Sequence, residues 1–336
     1  MMNYMRKIIA RILFIVILLS TFLIIDEVLK IKSNHGINQK ESMYVQPSNS
    51  IDVVFMGTSH VHCGINTALL WEEYGIASYD YSGAEQPLWM TYYYLKELLK
   101  YQNPKLIVLD LYGPARFKDD YQYEWIEENI YGMKFSLNKL EMLAVSVEKE
   151  KIFNYFPDFA NYHSRYDILE EEDFKYTIKE KEELAAFKGY TPYMKKVNLQ
   201  KPEVYTEDRN GLTVKSSKYL NMIIEYVKEK DVQLVLIVIP YMITEDDKKT
   251  YNQIMDIAIE NDIRFIDYND YYDEIGLDFS CDFNDESHLN YWGSSKFTRY
   301  FGEFLSEYDL TDHRGKEEYK SWDENVKLIK EYTEKY

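Results

Sequence analysis

Three side chains in this 336-residue sequence have the types and spacing of an activated nucleophile. Ser59 lies in FMGTSHVHCGI (55–65), and Asp285 and His288 lie in CDFNDESHLNYWG (281–293). A serine hydroxyl attacks poorly unless an adjacent base takes its proton, and an imidazole serves best when a carboxylate fixes its tautomer and steadies its charge. An Asp three residues ahead of a His on one turn can do both. Ser59 follows the mostly apolar run Ile51–Val54 and Gly57, where a strand should end and a helix begin. Alone, a serine after a strand is more often a helix cap. The distant Asp-x-x-His makes Ser59 a nucleophile, with capping as its second role.

Other polar residues carry weaker signals. His60 and His62 stand at i, i+2, a spacing that points them apart on a helix, and no Cys/His ligand cluster accompanies them, so no metal is expected. His60 reads as lining the site mouth. Arg116, just after a strand end, is a candidate for binding substrate. His163 and Arg165, in FANYHSRYD (159–167), could clamp a carboxylate, phosphate or sugar. A surface ion pair from Arg165 is the plainer reading of that patch. Cys63 and Cys281 would come near each other if the three residues assemble, so a disulfide and two free thiols are both open. No motif asks for a cofactor.

These residues need a frame. Strand-like runs at IDVVFMG (51–57), ASYDY (77–81), KLIVLDL (105–111), VQLVLIVIP (232–240) and IRFIDY (263–268) alternate with helical patterns. Five strands separated by helices predict an α/β fold: three layers, α/β/α, around a five-stranded, mostly parallel sheet of flavodoxin-like type. Sites in such sheets lie beyond the carboxyl ends of the strands, where Ser59, Ser82–Gln86, Asp110–Arg116 and the segment after Tyr268 all fall. The alternation pauses at about 115–200, a stretch rich in Tyr, Phe, Glu and Lys that reads as a helical insertion with patches at Leu137–Tyr155 and Glu170–Phe187. The α/β domain would span 50–308, with a polar linker at 31–49 and a charged tail at 309–336.

The N-terminus, 1–30, reads as a membrane anchor. ILFIVILLSTFLII (12–25) follows a basic segment, and no small-residue cleavage site comes after it. Basic residues before the span and an acidic body after it place the N-terminus in the cytoplasm and the domain outside, as a single-pass protein of the cell membrane. The formal net charge is -18, and Arg6, Lys7 and Arg11 offset only Asp26 within the first 26 residues, so the acidity lies in the body. Such a body repels phosphate backbones, which argues against nucleic acid as a partner. The 33 Tyr suit a protein that handles sugars.

GTSH (57–60) and DESHLN (285–290) resemble the first and last signature blocks of the SGNH/GDSL-like hydrolases. The anchor, GTSH in place of GDS and the long insertion are most similar to the membrane-anchored branch, which includes the teichoic-acid D-alanylation protein DltD and the alginate O-acetylation proteins. The resemblance implies Ser59 as nucleophile, His288 as base and Asp285 as third member. The Ser59 amide and Gly83, in YSGAEQ (81–86), would be oxyanion donors. Similar His-Ser-Arg patches in that branch make His163 and Arg165 binding candidates. The family's third block supplies an Asn side chain, where this chain reads LDLYGPARF (109–117). The implied activity is that of an esterase or O-acyltransferase acting on acetyl or D-alanyl groups of an envelope polysaccharide or teichoic acid, beside a membrane-bound O-acyltransferase partner. The missing Asn supports the alternative, a non-catalytic polymer-binding or scaffolding subunit.

Overall fold

A computed structural model describes residues 2–156, 163–175 and 187–336. It begins with a long helix, α1 (Met2–Leu29), and a short one, α2 (Ile37–Met43). The five strands β1 (Val53–Met56), β2 (Ser78–Asp80), β3 (Leu106–Asp110), β4 (Gln233–Val238) and β5 (Arg264–Asp267) form one sheet in the order β2-β1-β3-β4-β5. All four pairings are parallel, so the sheet is wholly parallel. β1 and β3 are buried on both faces, as their uninterrupted apolar runs require.

Helices cover both faces. Thr67–Tyr74, Tyr291–Leu305 and Lys320–Thr333 pack on one another on one side, and Leu88–Leu98, Leu137–Ser146 and Val214–Glu229 on the other. The chain leaves central β1 for edge strand β2, then crosses back to β3 on β1's other side. The strand order therefore reverses at β1/β3, where a crevice opens at the carboxyl ends of an open parallel sheet.

Two stretches differ from expectation. Residues 31–49 are not a solvated linker: α2 lies against the domain, with Ile37, Lys40 and Met43 fully buried. Its buried donors bond to protein groups: Gln39 Nε2 donates to Thr191 Oγ1 (3.0 Å) and Lys40 Nζ to Asn129 Oδ1 (2.8 Å). The tail 309–336 likewise ends in the helix Lys320–Thr333, which buries Trp322 completely and donates its indole N–H to Ser78 O at 3.2 Å. A charged outer face hid one large apolar anchor. Within the insertion, Leu137–Ser146 is helical and a 3₁₀ turn follows at Lys149–Asn154. Of the expected helix Glu170–Phe187, Glu171–Lys175 is seen and most of the remainder lies outside the described residues. Residues 187–213 run without helix.

Candidate active site

The turn after β1 sets the geometry. Gly57 has φ 146°, and a Cβ there would stand 3.0 Å from Asp110 Cβ and 3.1 Å from Asp110 O. Only glycine lets the chain fold back this close to β3. Helix α3 (Ser59–Gly64) starts immediately, and its N-cap is Thr58, whose hydroxyl accepts the His60 amide at 3.3 Å. The expected capping role of Ser59 thus belongs to its neighbour. Ser59 occupies the first helical position, where a backbone amide has no intrahelical acceptor.

At the other end of the chain a tight turn aims His288. Asp285 Oδ1 accepts the backbone amides of Ser287 (2.8 Å) and His288 (3.0 Å), and Asn284 Nδ2 donates to Oδ2 at 2.8 Å. His288 Nδ1 lies 2.9 Å from Asp285 Oδ1, and Nε2 lies 2.8 Å from Ser59 Oγ. With a carboxylate on one side, Nδ1 carries the proton and Nε2 accepts from the serine hydroxyl. Partial burial alone would raise the Asp285 pKa, but hydrogen bonds and the charge of His288 hold it well below the usual carboxylate range. The structure therefore brings together Ser59, His288 and Asp285 as one hydrogen-bonded chain.

The chain opens into a cavity of about 260 Å³ walled by Tyr112, Phe117, Trp125, Tyr193 and His35, with Glu85 and Ser287 among its polar lining. Tyr193 stands edge-on to the His288 ring (5.6 Å), and Trp125 to His35 (5.7 Å). Trp125, Tyr193 and His35 were not foreseen as wall residues. They come from the insertion, with Tyr193 in its helix-free end, and from the residues after the span, whose approach to the sheet leaves no periodic signature.

Gly83 lies beside the site, and its amide reaches the Gly57 carbonyl at 3.4 Å, longer than an ordinary N–H···O bond. Asn129 abuts Gly83, where a Cβ would collide with its side-chain oxygen and with Lys40 Nζ. Asn129 Nδ2 donates to Ala84 O (2.7 Å) and Trp125 O (3.1 Å), so this asparagine fixes the Gly83–Ala84 turn. Lys40 is fully enclosed, and burial pulls its ammonium down to about 7.

The other expected residues sit elsewhere. His60 does not line the mouth: it is 2% exposed and stacks on Tyr112 at 3.6 Å, behind the wall. Burial holds it well below the ordinary histidine value. His62 is buried and bonds Ser82 Oγ at 3.0 Å. Arg116 pairs with Asp247 at 2.9 Å and lies over the Tyr112 and Tyr241 rings, behind the cavity lining. Arg165 is bound to the carbonyls of Leu29 (2.7 Å) and Lys30 (2.6 Å) and pairs with Asp173, at the exit of α1. His163 begins a short 3₁₀ turn, and its side chain lies outside the described residues. Cys63 and Cys281 are free thiols, the first buried against Tyr193.

Comparison with models of protein families and with curated proteins finds no match. Among solved structures, one from Bacteroides fragilis, described as a candidate acylhydrolase, aligns with a TM-score of 0.41 at 11% identity. It covers 83% of this chain and 99% of its own.

Proposed function

We propose that the protein is an extracytoplasmic serine esterase or O-acyltransferase that uses Ser59, His288 and Asp285. The observation that carries this reading is the unbroken hydrogen-bond chain from Ser59 Oγ through His288 to Asp285, opening on an aromatic-walled cavity. As Ser59 Oγ forms its bond to the acyl carbon, its proton passes to His288 Nε2, and Asp285 stabilises the imidazolium. The carbonyl electron pair moves to oxygen, facing the Ser59 amide and the weakly engaged Gly83 amide. Collapse expels the alcohol, which takes the proton from Nε2 and leaves an acyl-Ser59 ester. Water or an acceptor hydroxyl then repeats the sequence in reverse.

The substrate class rests on the sequence resemblance: acetyl or D-alanyl esters of an envelope polysaccharide or teichoic acid, with a membrane O-acyltransferase as partner. Aromatic walls suit sugar rings, which stack on such faces. The helix α1 supports attachment to the membrane, since Tyr4–Leu29 is long and apolar enough to span a bilayer; its basic N-terminal flank supports the inward orientation of the N-terminus.

A second reading, a polymer-binding subunit without catalysis, is favoured by one observation. The Gly83 amide reaches Gly57 O, and the Asn129 amide group is committed to Ala84 and Trp125. A fluorophosphonate probe on the full chain separates the two. Labelling that disappears in Ser59→Ala supports the enzyme, whereas an unlabelled native protein supports the binder.

A further inference from the structure

We propose that the domain sits directly on the bilayer, with a rim of exposed apolar side chains around the exit of α1 seated in the lipid interface. This rests on the reading of α1 as a membrane span.

The length of exposed helix makes the first argument. Tyr4–Ile25 is exposed on all sides, and burial by the domain begins at Asp26 and is complete at Leu29. At 1.5 Å per residue the exposed stretch measures about 33 Å, close to the roughly 30 Å of a hydrocarbon core. No length of α1 is left over as a stalk, so protein contacts begin where the hydrocarbon ends.

The second argument is the grip at that exit. Arg165 holds the Leu29 and Lys30 carbonyls, Lys32 pairs with Asp173 at 3.3 Å, and α1 packs against His163–Asp167 and Glu171–Lys175. These contacts fix the insertion to the helix end rather than letting it swing on a tether.

The third is what the gripping segments expose. Tyr166 (73%), Ile168 (63%) and Phe174 (65%) flank Arg165 and Asp173. On another side of the exit, Asp26 and Lys30 share a depression with Phe135, which is 71% exposed. Large apolar side chains this exposed, at the level where the span emerges, have a lipid surface as their natural cover. An aromatic among them fits the headgroup level. His35, on the cavity wall, follows Leu29 by six residues, a reach of at most about 20 Å. A domain seated in this way holds the Ser59 site at a fixed height near the membrane.

Depth-dependent quenching tests the proposal on the full chain carrying Cys281→Ala, in which the one remaining native thiol, Cys63, is buried, so that only the added cysteine is labelled. Single cysteines at Ile168, Phe174, Leu18 and Ile259 (70% exposed, on the helix Glu245–Glu260) would each carry an environment-sensitive fluorophore. The protein is reconstituted in phosphatidylcholine–phosphatidylglycerol vesicles containing lipids with a nitroxide on the upper acyl chain. We expect quenching at 168 and 174 at least twofold above that at 259, and quenching at 18. Quenching at 18 with 168 and 174 no higher than 259 overturns the seated domain while leaving the span intact. Loss of quenching at 18 overturns the span, and the proposal with it. Neither result bears on the chemistry of Ser59.

Discussion

The Ser59 hydroxyl and the Nε2 of His288 lie 2.8 Å apart although 229 residues separate them. β1 delivers the serine at the crevice between β1 and β3, and a turn built on Asp285 delivers the imidazole. Asp285 is engaged twice, by the backbone amides that shape the turn and by the ring that the turn presents.

Asp285→Asn separates those duties. The amide oxygen can still accept the backbone N–H groups, but an amide group facing Nδ1 favours the wrong tautomer. We expect folding to be retained, with kcat for an aryl acetate reduced about 10³- to 10⁴-fold and KM nearly unchanged. Steady-state kinetics with a thermal melt as control checks this.

The pH profile follows from the same carboxyl. A carboxylate whose folded pKa lies below its unfolded value adds stability above the unfolded pKa and loses it as pH falls through the folded one. Asp285 therefore stays ionised down to below about pH 4, the ordinary Asp value. Above about pH 4 the acid limb of kcat/KM should have a slope no greater than one, with no contribution from Asp285. A slope of two above about pH 4 would show that Asp285 titrates there.

Asp110 gives the opposite sign. It is fully buried beneath Gly57, accepts Ile239 N at 3.1 Å and Tyr112 N at 3.3 Å, and is pushed up to about 7 by burial. Its folded form keeps a proton that the unfolded chain releases near pH 4, so its contribution to stability falls as pH rises through that window and levels off above about 7. Asp110→Asn should flatten this part of the dependence. Urea unfolding at pH 5 and pH 8 should show a smaller difference for the variant than for the native chain.

Lys40 and Asn129 hold the Gly83–Ala84 turn from α2 and the insertion. Lys40→Met keeps most of the side-chain volume and removes the hydrogen bonds. We expect kcat to fall about tenfold with KM little changed, an effect below the 10²–10³ of a lost oxyanion donor. An unchanged kcat in a folded variant would show that the turn does not depend on Lys40.

Much of this arrangement is legible in the sequence because it is carried by local signals. Apolar runs of parallel-strand type mark β1, β3 and β4, and Asp285 and His288 sit within one turn of each other. What was not legible depends on distant partners. The α2 sequence INQKESM looks solvated because its Lys and Gln find acceptors 88 to 152 residues away. The charged tail hides one buried Trp322. Thr58 and Ser59 are both capping residue types, and the turn at Gly57 decides between them by setting where α3 begins. Arg116 and Arg165 look like ligand-binding groups until Asp247, Asp173 and the α1 carbonyls are seen to hold them.

The most direct test of the central claim is trapping the acyl-enzyme. The full chain is mixed with p-nitrophenyl acetate, quenched in acid within the burst phase and digested for mass spectrometry. The account predicts one acetyl group on the peptide containing Ser59, absent in Ser59→Ala and strongly reduced in His288→Ala. A folded native protein that carries no acetyl group on Ser59, or carries it equally well without His288, would contradict it.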